Sequence, residues 1–266
     1  MWYNMFMGYI IFLLFFTGCS GPTDLPADRE SLEVNSFTVF EENSIGNTGL
    51  TFDSKTGLLV HARYDYEKSS KLIFTDLQGN HLVSIDVTAL IDHIQGLAYD
   101  YDRDTFWVWG TTKGIAHKPF TQDISLIEVD RSANLLDEIV LPSFVNYPGM
   151  IHYAGNRRMW VKANTKTEAY LFDMNTWEII STVDTRIGGE GIAQDKDGFL
   201  WVHDGKALYQ VDSGSGKRIR KIDSPTERGQ SEGLTIDALG RIWVSADEGL
   251  HNKLDLGNRV WPVVYQ

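Results

Sequence analysis

One pattern returns five times along this chain, and few folds accommodate it. Each copy holds a glycine, a short apolar run, a turn of Asp, Asn and Gly, and a second apolar run rich in Trp and Val. The copies begin at "NTGLTFDSKTGLLVHAR" (Asn47 to Arg63), "IQGLAYDYDRDTFWVWG" (Ile94 to Gly110) and "YPGMIHYAGNRRMWVKAN" (Tyr147 to Asn164). They continue at "GEGIAQDKDGFLWVHDG" (Gly189 to Gly205) and "SEGLTIDALGRIWVSADEG" (Ser231 to Gly249). The aligned glycines Gly49, Gly96, Gly149, Gly191 and Gly233 are spaced 47, 53, 42 and 42 residues apart. A self-similar period of this length marks a repeat architecture.

Each copy decodes into strands. Gly-Leu-Ala-Tyr-Asp is a β-rich run, Asp-Arg-Asp a turn, and Thr-Phe-Trp-Val-Trp a second run of β-branched and aromatic residues. Two more runs follow in each unit, as in "KLIFTDLQGNHLVSIDV" (Lys71 to Val87), "ISLIEVDRSANLLDEIVL" (Ile124 to Leu141) and "AYLFDMNTWEIISTVD" (Ala169 to Asp184). Four antiparallel strands in about 42 residues is the period of a propeller blade. Helical repeats require an amphipathic helical pattern, which the chain does not offer. The predicted fold is therefore all-β, a β-propeller of four-stranded antiparallel blades spanning residues 36–266. Five blades are expected. Six is the alternative if the loop around "IAHKPFTQD" (Ile115 to Asp123) holds a degenerate unit. A blade cannot bury both faces alone, so the ring must close. The extra strand "SFTVF" (Ser36 to Phe40) is expected to join the last blade beside "RVWPVVYQ" as the clasp.

Upstream of this body, "MFMGYIIFLLFFTGC" runs from Met5 to Cys19, the sole cysteine. The run is short for a membrane span, which needs about 20 residues, and suits the apolar core of a secretory signal. Thr17-Gly18 before Cys19 resembles the bacterial lipobox, although Phe16 stands where Leu is usual and no Lys or Arg precedes it. Residues 1–18 are read as a lipoprotein-type signal peptide, with Cys19 as the lipidation site; an uncleaved anchor is the alternative. Residues 19–35, with two prolines and no periodicity, form a tether of roughly 20 Å as a flexible coil. Either reading exports the body to the cell envelope and attaches it to a membrane.

The net charge of −12 argues against nucleic acid, whose binding is carried by Lys and Arg on phosphates. The acidic surface tolerates a cation such as Ca²⁺ without demanding one. At 266 residues the chain buries roughly 75% of its unfolded surface as one domain and needs no staple. A monomer is expected.

"EGIAQDKDGFLWV" and "EGLTIDALGRIWV" resemble blades of the broad superfamily that includes NHL repeats, SdiA-regulated proteins, the SMP-30/gluconolactonase group and the virginiamycin B lyase group. "GRIWVSADEGLHNKLD" is similar to propeller repeats of sensor ectodomains. The resemblance rests on blade-forming residues and implies a fold, while superfolds host many functions. Channel carboxylates bind the metal in the gluconolactonase group, but that group's Glu-Gly-Pro-x-Trp element is absent here.

The residues preceding the aligned glycines, Thr48, Gln95, Pro148, Glu190 and Glu232, are expected near one mouth of the channel. Glu190 and Glu232, with Gln95 across the ring, offer oxygen ligands to Ca²⁺ or another divalent cation. Alternatively they accept hydrogen bonds from backbone N–H groups at the rim. Second-strand ends supply His61, Arg63, Trp109, Lys162, Asn164, His203 and Asp204. With Tyr147 they describe a mixed aromatic and polar rim for a small-molecule or protein ligand, since variation on a repeated scaffold is where specificity lives. Three further motifs fail on context. "GQSEG" (Gly229 to Gly233) fits the G-x-S-x-G pattern around Ser231, but a nucleophile elbow needs a helix after it. "DSGSGKR" (Asp212 to Arg218) is a hairpin turn rather than a phosphate loop. "DYDRD" (Asp100, Asp102, Asp104) lacks the Gly and distal Glu of a calcium loop and is expected to be a solvated turn. Two functions remain: a binding module of the cell envelope, or a metal-dependent hydrolase (lactonase- or esterase-like) or lyase acting at the channel mouth.

Overall fold

A computed structural model describes residues 36–40, 45–65, 69–111, 124–142, 145, 149–163, 166–189, 191–224, 231–246 and 258–263. These residues form five antiparallel sheets of four strands. Blade one holds β2 (Ile45–Asp53), β3 (Leu58–Asp65), β4 (Ser69–Thr75) and β5 (His81–Asp86). Blade two holds β6 (His93–Asp100), β7 (Thr105–Thr111), β8 (Ile124–Val129) and β9 (Leu135–Ile139). Blade three holds β10 (Met150–Gly155), β11 (Arg158–Lys162), β12 (Glu168–Asp173) and β13 (Glu178–Asp184). Blade four holds β14 (Gly191–Gln194), β15 (Leu200–His203), β16 (Ala207–Val211) and β17 (Arg218–Asp223).

The fifth sheet closes the ring. It runs β18 (Ser231–Ile236), β19 (Ile242–Ala246), β20 (Asn258–Val263) and then β1 (Phe37–Phe40), the segment nearest the N-terminus. Phe37 pairs with Val260 and Thr38 with Arg259, so the clasp expected from the sequence is present. The loop that raised the six-blade alternative falls outside the described residues. Thr111 and Ile124, at its two ends, are paired within a blade that already has four strands. The protein is a five-bladed β-propeller.

Apolar clusters fill the seams between blades. Val60, Leu72 and Phe74 of blade one meet Leu97, Phe106 and Val108 of blade two. Trp107, Trp109 and Leu126 meet Ile151, Met159 and Phe172 across the next seam. Met150 and Trp160 meet Ile192 and Val202, and Trp201 and Leu208 meet Leu234 and Val244. Leu50 and Leu59 meet Trp243 and Val260 where the ring closes. The fourth strands form the outer edge, with Leu82, Leu136, Ile180 and Ile219 exposed.

These seams give the repeated glycine its reason. A Cβ on Gly96 would lie 2.7 Å from the carbonyl oxygen of Gly149, and one on Gly233 2.6 Å from Leu50 Cβ. Gly49 and Gly191 face Leu97 and Leu234 in the same way, at 3.2 and 3.0 Å. The innermost strands converge here, where only a hydrogen fits between neighbouring blades.

Candidate ligand site at the centre of the ring

The innermost strands end at the turns that carry the repeated Asp, and those carboxylates are structural. Asp195 Oδ1 accepts the N–H groups of Asp197 and Phe199 at 3.0 and 2.9 Å, and its Oδ2 accepts Trp201 Nε1 at 2.9 Å. Asp237 repeats the arrangement with Leu239, Arg241 and Trp243. Asp53 and Asp100 cap their turns similarly, each accepting two backbone N–H groups. This is the side-chain turn mimicry that favours Asp at such positions.

The residue before each of these positions, third after the aligned glycine, does something different. It is Phe52, Tyr99, His152, Gln194 and Ile236 in blades one to five, and all five side chains line one central cavity of about 570 Å³. Tyr101, Tyr153, Thr51, Thr235, Lys196 and the turn carboxylates Asp195 and Asp237 are among the other residues of its wall. The scaffold repeats while this position changes chemistry from blade to blade. His152 is half-buried and its ring bonds to no other described residue; burial pushes its pKa down to about 4. Its ring is therefore a neutral imidazole at physiological pH. Gln194 is held in place, accepting from Trp160 Nε1 at 3.3 Å and donating to the carbonyl of Gly198 at 3.0 Å.

The aromatic side of the cavity is braced by the "DYDRD" turn, which is exposed at Tyr101, Asp102 and Arg103 as its sequence suggested but whose carboxylates also reach other blades. Asp100 is buried and pairs with Arg157 of blade three at 3.0 Å. Asp102 accepts from the Tyr153 hydroxyl and from Asn156 N. Asp104 adopts φ 59°, at the place where blades one, four and five use Gly57, Gly198 and Gly240, and binds Arg131, Lys55 and the Tyr99 hydroxyl. Arg131 also reaches Asp53 of blade one at 2.8 Å. Its guanidinium holds Asp104 well below the usual carboxylate range, while burial and the Asp104 bond push Tyr99 up. The turn thus ties three blades together beside the cavity.

Of the residues singled out from the sequence, Thr48, Gln95 and Glu232 sit at the opposite end of the inner strands, four residues or roughly 13 Å away. Thr48, Gln95 and Glu232 are each the extra residue of a β-bulge, where two residues face one on the neighbouring strand. A bulge re-aims the side chain it carries. All three are buried, and Gln95 Oε1 has no hydrogen-bond partner among the described residues. Thr48 donates to the carbonyl of Ile94 in the next blade at 2.5 Å. Glu190, Asn164, Tyr147, Pro148 and Cys19 lie outside the described residues.

The second-strand ends share that end of the ring but are largely committed to the fold. Trp109 is fully buried in the seam between blades two and three, so it is core and not rim. Lys162 is buried, with Nζ donating to the carbonyls of Lys166 and Gly189 at 2.8 and 2.6 Å. His61 Nε2 bonds Thr75 Oγ1 at 2.9 Å, and His203 Nε2 bonds Ser224 Oγ at 2.7 Å. Burial lowers their pKa values to about 3 and about 4. Arg63 Nη1 reaches Ser69 Oγ at 3.1 Å. Burial works to raise Asp204, yet the N–H groups of Lys206 and Ala207 and the Tyr209 hydroxyl hold it below the usual carboxylate range. Ser231 opens a strand rather than preceding a helix, and Asp212 caps the hairpin turn before β17.

Among the described residues, no group of three or more His, Cys, Asp or Glu side chains is placed to hold a metal ion. At the bulge end the inner strands supply one carboxylate among the described residues, Glu232, with the neutral oxygens of Gln95 and Asn47, while Asp204 is already held by the N–H groups of Lys206 and Ala207 and the Tyr209 hydroxyl. That set alone does not fit a divalent cation, whose sites draw on several oxygens with carboxylate charge among them.

The chain matches no family model. It is 31% identical over 88 residues to pentonolactonase XacC of Haloferax volcanii, a stretch amounting to 30% of each chain. It thus spans less than a third of that relative's length. In structure it is similar to Myxococcus xanthus glutaminyl cyclase, with a TM-score of 0.59, 12% identity, and 86% of this chain and 95% of that one covered. It is also similar to a chain of the nidogen/laminin complex, with a TM-score of 0.50, 11% identity, and 75% and 71% covered. At these identities the two structures share its fold alone.

Proposed function

We propose that this chain is an exported, lipid-anchored propeller that binds a small ligand in the cell envelope, holding it in the central cavity at the turn end of the ring. One observation carries the reading: each blade sends a different side chain, Phe52, Tyr99, His152, Gln194 or Ile236, into the same cavity from the same aligned position. Convergent polar groups in an otherwise aromatic and apolar pocket are what small-molecule sites use, and the volume lies within their range. The apolar run ending at Cys19 supports export and anchoring. Full-length protein expressed in a bacterial host should sediment with membranes, and Cys19→Ser should release it; equal sedimentation of both would remove the lipid anchor.

A second reading is a sugar-lactone hydrolase with its site at the bulge end, through Glu232, Glu190 and Gln95. The likeness to the pentonolactonase favours it, and so does the resemblance of the blades to the SMP-30/gluconolactonase group. Acid release from a pentono-1,4-lactone separates the two. The binding reading expects no acceleration above the uncatalysed rate. Chelator-sensitive acceleration lost in Glu232→Gln would replace it with the hydrolase.

A further inference from the structure

The groups lining the turn-end cavity define what it can recognise. Its charges are mostly spent. Asp195 accepts from two backbone N–H groups, Trp201 Nε1 and Gln210 Nε2, and Asp237 from two backbone N–H groups, Arg241 Nε and Trp243 Nε1. The remaining lining cation is Lys196, which is exposed. A polyanion finds little here to neutralise it. A cation finds carboxylates whose lone pairs are taken, and Arg131 already lies 5.7 Å from the centre of the Tyr99 ring. The Tyr99 and Tyr153 hydroxyls donate to Asp104 and Asp102.

Apart from the exposed Lys196, what stays open toward the cavity is neutral. The His152 imidazole has one donor and one acceptor nitrogen, neither bonded to another described residue. The same cavity is lined by Phe52, Tyr101 and Tyr153, with Tyr101 half-exposed and packed edge-on to Tyr153 at 4.9 Å. A phosphate oxygen only accepts and an ammonium only donates, whereas a sugar hydroxyl does both and so matches a neutral imidazole. The C–H face of a sugar ring matches the aromatic wall.

We propose that the turn-end cavity binds a neutral sugar ring, with hydroxyls paired to His152 and the ring face against Tyr101 and Phe52. This rests on reading the cavity as the ligand site. The probe is methyl β-D-glucopyranoside, followed by saturation-transfer NMR and calorimetric titration on the full protein, with tetramethylammonium as the competing chemistry. The glucoside should bind in the millimolar range. His152→Ala should weaken it about tenfold, the worth of one hydrogen bond. Tyr101→Ala, at an exposed position that does not threaten folding, should weaken it severalfold. His81→Ala, on the outer strand β5, should leave it unchanged. Binding of tetramethylammonium alone, lost in Tyr101→Ala, would overturn the sugar and keep the cavity as a site. Glucoside binding indifferent to both cavity variants would place the sugar elsewhere and overturn the proposal. No binding of either probe would overturn both readings.

Discussion

The indole N–H of Trp243 donates to Asp237 Oδ2 at 3.0 Å, and one blade earlier Trp201 makes the same bond to Asp195 at 2.9 Å. In both blades one carboxylate at the end of the first strand organises the turn and anchors the Trp of the second. In Asp237→Ala the turn N–H groups, the Arg241 guanidinium and a buried indole lose their acceptor together. Hydrogen bonds to a charged group contribute about 1.5–3 kcal/mol, and a buried donor left unpaired adds to the loss. The variant should lose about 3 kcal/mol in urea unfolding, while Asp197→Ala, at an exposed neighbouring turn position, should stay within about 0.5 kcal/mol.

The seam glycines give a second test. Gly96→Ala forces a methyl group against the backbone carbonyl of Gly149, which cannot swing aside as a side chain would. Overpacking of this kind costs about 1–3 kcal/mol. Gly188→Ala meets nothing within 4 Å and is the matched control, expected to leave the melting temperature unchanged or slightly raised. Equal effects of the two changes would mean that the inner strands do not converge as described.

The fold was legible because a repeat states its constraint several times over: the glycines mark the seams and the Asp-to-Trp spacing marks the turns. The cavity was harder to see. Its signal was the third residue after each glycine, where Phe52, Tyr99, His152, Gln194 and Ile236 differ in chemistry while the next position is Asp in four of the five blades. Trp109 was misread from its place at a strand end. Side chains two apart share a face of a strand, so once Trp107 is core Trp109 must be core too, and both lie in one seam. The bulges at Thr48, Gln95 and Glu232 were not legible, because a bulge depends on the register of the partner strand. Nor were the ties from Asp100, Asp102 and Asp104, whose partners lie 51 to 57 residues away for Tyr153, Asn156 and Arg157.

The buried histidines predict the response to acid. His61, His152 and His203 are lowered by burial to about 3, 4 and 4, against about 6.5 in the unfolded chain. Between these values the unfolded state binds more protons than the folded one. Stability is therefore nearly complete above pH 6.5 and falls as the pH drops from there toward 4, by up to about 1.4 kcal/mol per histidine per pH unit. Urea unfolding at pH 7, 6 and 5 should show this decline, and His203→Gln should remove about one proton from its slope. A stability that is flat from pH 7 to 5 would mean that these rings are already protonated or solvated in the fold.

Arg131 joins the turn of blade two to blade one, reaching Asp53 at 2.8 Å and Asp104 at 2.6 Å while lying over the rings of Tyr99 and Phe106. Asp53 is fully buried, so removing the guanidinium leaves a carboxylate whose remaining partners are the hydroxyl of Thr56 and two turn N–H groups. Breaking such a pair costs about 3 kcal/mol, whereas an exposed pair such as Lys221 with Asp223 contributes about 0–1 kcal/mol. Arg131→Met keeps the apolar stem over the rings and isolates the charge. It should destabilise the fold by about 2–3 kcal/mol, and Lys221→Met should have little effect. Because Arg131 favours the ionised tyrosine and balances the charges of Asp53 and Asp104 beside it, Arg131→Met should also push the Tyr99 hydroxyl to ionise at a still higher pH than in the native protein. Ultraviolet titration reads that change directly: a native-like tyrosine curve in the folded variant would show that Asp104 and burial, rather than the guanidinium, fix the ring.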